Sequence, residues 1–96
     1  MPEKNMYECL FIMKPDLTEE SVKGVIKGIV DAISSNLGEV KKEEQWGKRA
    51  LAFPVRKCRE GYYYKVDFQA PPASITTLRG IYKLNSDILR MMMTKR

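Results

Sequence analysis

Trp46, Gly47, Lys48 and Arg49 stand in four consecutive positions: an aromatic ring, a residue with no side chain and two cations. Such a group suits a polyanion. The Arg fork matches phosphate oxygens, an indole offers a face on which an unpaired base can stack, and Gly lets the backbone come close. The same four residues also read as an edge strand protected by charge, with Trp46 capping the core. The placement of charge bears on the choice. Lys41, Lys42, Lys48, Arg49, Arg56, Lys57 and Arg59 crowd into one stretch with only Glu43 and Glu44 against them. The rest of the chain holds 10 basic and 10 acidic side chains, so the whole net charge of +5 belongs to residues 41–59. A concentrated positive field attracts nucleic acid.

Chemistry of other kinds has little to work with. The chain has no His, which removes the usual general base near neutral pH and the commonest metal ligand. No phosphate loop, dinucleotide fingerprint or nucleophile elbow occurs. Cys9 lies in an apolar run on the expected core face with no base beside it, and Cys58 lies among Arg and Lys. Neither spacing fits a disulfide framework or a metal site, so both read as free thiols of a reducing compartment. Glu19–Glu20 and Glu43–Glu44 are adjacent in sequence, and adjacent carboxylates do not converge on a substrate. The expectation is a protein that is not an enzyme, with no catalytic residue, metal, cofactor or small-molecule substrate.

The elements that position the basic stretch follow from periodicity. Met6–Met13 reads as a strand with Tyr7, Cys9, Phe11 and Met13 on one face and Glu8, Leu10 and Ile12 on the other. From Thr18 the spacing of Val22, Val25, Ile26, Ile29, Val30, Ile33 and Leu37 predicts an amphipathic helix. Thr18 is its cap and Gly38 its left-handed stop. Residues 39–55 are extended, and Pro54 places them at a sheet edge. Residues 56–61 read as a turn and Tyr62–Gln69 as a strand with Tyr64, Val66 and Phe68 facing the core. Ser74 is the expected cap of a second helix, which buries Ile75, Leu78, Ile81 and Tyr82 and ends near Asn85. Ile88–Lys95 closes the chain as a strand in which Met91 and Met93 alternate with Arg90, Met92 and Thr94.

That order is the split βαβ arrangement of an α+β, ferredoxin-like sandwich: a four-stranded antiparallel sheet with two helices on one face. At 96 residues the expectation is one domain over residues 1–96. No run of about 20 apolar residues occurs and no apolar segment follows a basic start, so a cytoplasmic protein without a membrane partner is expected. The face left open carries Leu10, Ile12 and Met92 beside Glu8, Lys65 and Arg90, a mixture that fits a protein partner.

Larger blocks of sequence resemble a known family. Tyr7-Glu8, Lys14-Pro15-Asp16, the decapeptide Trp46-Gly47-Lys48-Arg49-Ala50-Leu51-Ala52-Phe53-Pro54-Val55, Gly61-Tyr62, and Asn85 with Ile88 and Arg90 together resemble the bacterial small-subunit ribosomal protein six family. The resemblance spans nearly the whole chain. It implies the same ferredoxin-like fold, a structural role in the small ribosomal subunit and its assembly, and binding to the central domain of small-subunit ribosomal RNA together with ribosomal protein eighteen. Lys48, Arg49 and Arg90 match basic positions of the family's pattern; Lys41, Lys42, Arg56, Lys57 and Arg59 rest on charge alone, and Trp46 on its capacity to stack. The chain departs in having Phe53 where Tyr is usual and in stopping at Arg96 without the tail many members carry. The alternative is an RNA-recognition-motif-like domain binding single-stranded RNA, which shares the element order. Gly61–Phe68 echoes its third-strand signature, but Tyr63 replaces a small residue and Lys65 stands where Val is expected.

Overall fold

The computed structural model describes residues 4–96. Six elements follow the expected order: β1 (Asn5–Met13), α1 (Glu19–Ser35), β2 (Glu39–Val55), β3 (Cys58–Ala70), α2 (Pro72–Leu84) and β4 (Ile88–Lys95). The strands form one sheet in the order β2-β3-β1-β4, every neighbouring pair antiparallel. The expected edge position of β2 is observed. Alternation decides the inner face. Cys9, Phe11, Tyr64, Val66 and Phe68 are wholly buried together with Ile33 and Leu78 of the helices. Phe11 anchors this layer edge-on to Tyr82, with centroids 4.9 Å apart and planes at 88°. Met93, on the same side of β4 as Met91, packs against this core but is only partly buried, because β4 is the sheet's other edge.

Helix α1 begins where its cap directs. Thr18 Oγ1 accepts from the Ser21 amide at 3.1 Å, and Glu19 and Glu20 occupy the positive end of the dipole. Its other end corrects the expectation. Leu37, not Gly38, adopts the left-handed conformation (φ 66°), and the Gly38 amide donates to the Ile33 carbonyl at 2.8 Å. Leu37 therefore lies past the helix and is exposed. Gly38 is required for a different reason. A Cβ there would sit 2.5 Å from Ile33 Cγ2 and 2.8 Å from the Ile33 carbonyl oxygen.

Helix α2 departs from expectation at both ends of its apolar stripe. It starts at Pro72, with Pro71 at the cap position and no side-chain cap, since Pro fits a first turn whose amide has no helical partner. Ser74 lies inside that turn and is buried. Ile81 is exposed because Tyr82 takes the inward position, its hydroxyl donating to the Ile29 carbonyl of α1 at 2.8 Å.

The largest correction concerns the turn between β2 and β3. Instead of residues 56–61, it consists of Arg56 and Lys57 alone, with φ 49° and 66°. Two consecutive left-handed residues match the twist of a hairpin, a role usually given to Asn-Gly. For residues with a Cβ this conformation costs roughly 1 kcal/mol or more each. Since β1 pairs with β3 only from Tyr62 onward, residues 49–61 form a two-stranded arm beyond the body of the sheet, with Lys48 opposite Tyr62 at its base. Between Ala50 and Val55 the ladder is irregular, and Phe53 is 77% exposed there.

Candidate nucleic-acid interface

The face of the sheet opposite the helices is a grid set by strand register. In one row Lys42 of β2 stands opposite Asp67 of β3, and Asp67 opposite Glu8 of β1, which pairs with Thr94 of β4. The next row is Glu44, Lys65, Leu10 and Met92. Further along come Gly47, Tyr63, Ile12 and Arg90. A register shift at Gln45–Gly47, with Gly47 at φ 77°, tips Trp46 over Tyr63. The rings stack 5.9 Å apart at 12°. Trp46 is thus on the open face and 39% exposed, and it does not cap the core.

One end of this face is neutralised internally. Lys65 Nζ lies 2.9 Å from Glu8 Oε1 and 3.8 Å from Glu44 Oε2, while Arg96 Nη1 donates to Asp67 Oδ2 at 3.1 Å. Hydrogen bonding to Lys65 holds the Glu8 carboxyl below its usual 4.5, and hydrogen bonding to Glu8 holds the Lys65 ammonium above its usual 10.5. Sequence spacing gives no sign of Arg96 in this network, because its contacts depend on β4 folding back along β1. Beside this network the face becomes aromatic and apolar, with Arg90 at its edge. Met92 is 41% exposed and Leu10 partly buried, whereas Ile12 is only 5% exposed. Ile12, expected to face a partner, is covered by its own chain: a Cβ on Gly61 would meet Ile12 Cγ2 at 2.5 Å.

The remaining cations are distributed by the arm. Lys48 and Arg49 point to opposite sides of β2, as consecutive strand residues must. The Lys48 ammonium lies 5.3 Å from the centre of the Tyr62 ring, and Tyr62 shares its side of the strand with Tyr64. Arg49 lies opposite Gly61 and anchors its Nε to the Trp46 carbonyl at 3.2 Å. Lys41 is paired with Glu39 at 3.1 Å and Lys42 is exposed at the edge, both away from the arm. Lys48, Lys57 and Arg59 instead line an open groove of about 680 Å³ with Lys14 of the β1–α1 turn, Asp16 and Glu60. Lys14 escapes a reading of the sequence because its neighbourhood, Lys14-Pro15-Asp16, is electrically balanced.

Burial pushes the Cys9 thiol up to about 12, so it remains protonated, and no cluster of three metal-ligating residues occurs among the described residues. No helix among them is long and apolar enough to cross a membrane.

Comparison with known proteins decides what this platform belongs to. Residues 6–95 match the family Ribosomal protein S6. The chain belongs to that family. The small ribosomal subunit protein bS6 of Moorella thermoacetica is 37% identical over 89 residues, 93% of this chain and 91% of that relative. Its counterpart in Geotalea daltonii is 41% identical over 90 residues, 94% of this chain and 70% of the relative. Among solved structures, the 30S ribosomal protein S6 of Thermotoga maritima superposes with a TM-score of 0.93 at 25% identity. That superposition covers 98% of this chain and 89% of the other. The S6 family is a structural, non-enzymatic component of the small ribosomal subunit. Membership also separates this chain from the RNA-recognition-motif reading, although Trp46 and Tyr63 place two aromatics on the open face.

Proposed function

We propose that this chain binds the central domain of small-subunit ribosomal RNA as a structural part of the cytoplasmic small subunit, and does so jointly with ribosomal protein eighteen. The observation that carries the reading is the arm. Residues 49–61 extend beyond the body of the sheet and bear Arg49, Arg56, Lys57 and Arg59, with Lys48 at the base of the arm. A two-stranded ribbon studded with cations can follow a phosphate backbone, while Trp46 offers the outer side of its ring to an unpaired base. The apolar centre of the open face, Leu10 and Met92 beside Tyr63, supports a protein partner there, with charged residues at its rim.

Coupling between the two partners must be reciprocal. Titrating a central-domain RNA fragment with this chain, with ribosomal protein eighteen and with both should give weak binding singly. The pair should gain at least about 1 to 3 kcal/mol. Equal affinity with and without the second protein refutes the joint mechanism. In the same assay, changing Lys48 and Arg49 together to Ala should flatten the logarithmic salt dependence by about 1 to 2 units.

A further inference from the structure

The hairpin turn serves two grooves. Lys57 lines the one already described, and Arg56 reaches a second, lying over the end of α2 and the start of β4. This second groove encloses about 400 Å³, and its charged lining consists of Arg56, Arg79, Lys83 and Arg90, with no carboxylate among the lining residues. The four cations come from three separate parts of the chain. Arg79 and Lys83 are four residues apart on α2, so they project from one face of that helix. Tyr82, Ile88 and Met91 form an apolar floor beneath them. None of the four takes part in an ion pair with any described residue, unlike Lys41, Lys65 and Arg96.

Arg56, Arg79, Lys83 and Arg90, the last from edge strand β4, line one concavity with no counter-charge; like charges so placed repel one another, and a bound polyanion relieves that repulsion. The backbone supports the same conclusion independently. Arg56 is held at φ 49°, a conformation for which Asn or Gly would be the unstrained choice. Strain of this kind collects where a side chain is needed in a particular place. We infer that the groove between α2, the start of β4 and the β2–β3 turn is a second phosphodiester-binding site, with Arg79 and Lys83 contacting the RNA backbone together with Arg56 and Arg90. The inference rests on the RNA-binding reading above and adds to it two residues of α2, a helix outside the basic stretch. Arg56 and Lys57 then hold two stretches of backbone, one on each side of the turn.

The test uses the full chain with ribosomal protein eighteen and a central-domain RNA fragment, measuring affinity over a range of salt concentrations. Arg79→Gln and Lys83→Gln should each lower the logarithmic salt slope by roughly 0.7 to 0.9, the share of one neutralised phosphate. Lys27→Gln, on the exposed side of α1, serves as the control and should leave it unchanged. Arg79 and Lys83 are exposed, so both variants should melt as the parent does. Slopes equal to that of the Lys27 control, with parental RNA binding intact, overturn the groove and leave the RNA-binding reading standing. Absence of RNA binding by the parent chain overturns both. Replacing chloride by inorganic phosphate at equal ionic strength should not displace the RNA; displacement would mark a small-anion site and overturn the assignment to RNA backbone.

Discussion

Trp46 lies over Tyr63, one ring from edge strand β2 and the other from β3, with their planes 12° from parallel. The pair is presented ready-made, so a base can stack on the outer face of Trp46 without first ordering it. Trp46→Ala should weaken RNA binding by about 1 to 3 kcal/mol, the usual worth of a stacked base, and Trp46→Phe should recover part of it. Because Trp46 is the only Trp, its fluorescence reports on the stack directly. Tyr63→Ala should shift that emission and cost about 1 kcal/mol of stability. Unchanged RNA affinity in Trp46→Ala would confine the stack to a structural role.

Arg56 and Lys57 occupy left-handed positions better suited to Asn and Gly. Combining Arg56→Asn with Lys57→Gly in one double variant should raise stability by about 1 kcal/mol, read from denaturant midpoints. The same change should lower the salt slope of RNA binding by roughly 1 to 2 units as two cations leave the turn. A variant less stable than the parent would show that the turn's strain is relieved by contacts of the two side chains.

Ile29 is 1% exposed at the centre of α1, and its carbonyl accepts the Tyr82 hydroxyl. Ile29→Ala should cost about 2 to 5 kcal/mol, the range for truncating a buried aliphatic. Tyr82→Phe, which removes only the hydroxyl, should cost about 1 kcal/mol. A loss below about 0.5 kcal/mol for Ile29→Ala would place it outside the core.

Glu8 and Lys65 give stability a pH dependence with a defined sign. The folded Glu8 carboxyl titrates below 4.5, so its contribution is present above that value and is lost as pH falls through the lowered one. For Lys65 the folded value lies above 10.5; its contribution is present below 10.5 and disappears as pH rises beyond it. Glu8→Gln should therefore melt below the parent at neutral pH and converge with it in acid. Both side chains are partly exposed, so added salt should shrink the difference. A difference between variant and parent that is independent of pH would assign Glu8 a packing role.

The two thiols should separate cleanly under a thiol reagent. Cys58, half-buried at the groove, should react in the folded protein, while Cys9, wholly buried and pushed up to about 12, should react only on unfolding. Rapid titration of both thiols in native buffer would contradict the buried position of β1.

Periodicity and a few residues of special chemistry determined a great deal: the six elements and their order, the inward alternation of Cys9, Phe11, Tyr64, Val66 and Phe68, the cap from Thr18 and the edge position of β2 from Pro54. These features depend on local spacing, which a sequence displays directly. The concentration of charge in residues 41–59 was equally plain, and the WGKRALAFPV block carried the family. The two-residue turn was hidden because Arg-Lys lacks the Asn-Gly signature of its geometry, and the exposure of Ile81 depended on which neighbouring side chain reached Ile29. Only the tertiary structure decided how the cations are grouped. Counting along the chain treats Lys48 and Arg49 as one pair and leaves Lys14, Arg79 and Lys83 in an electrically neutral remainder. In the fold, strand alternation sends Lys48 and Arg49 to opposite sides, and the twisted arm brings Lys57 toward Lys14 and Arg56 toward Arg79 and Lys83. Electrostatic fields depend on distance through space, and that distance is set by how the strands close upon one another.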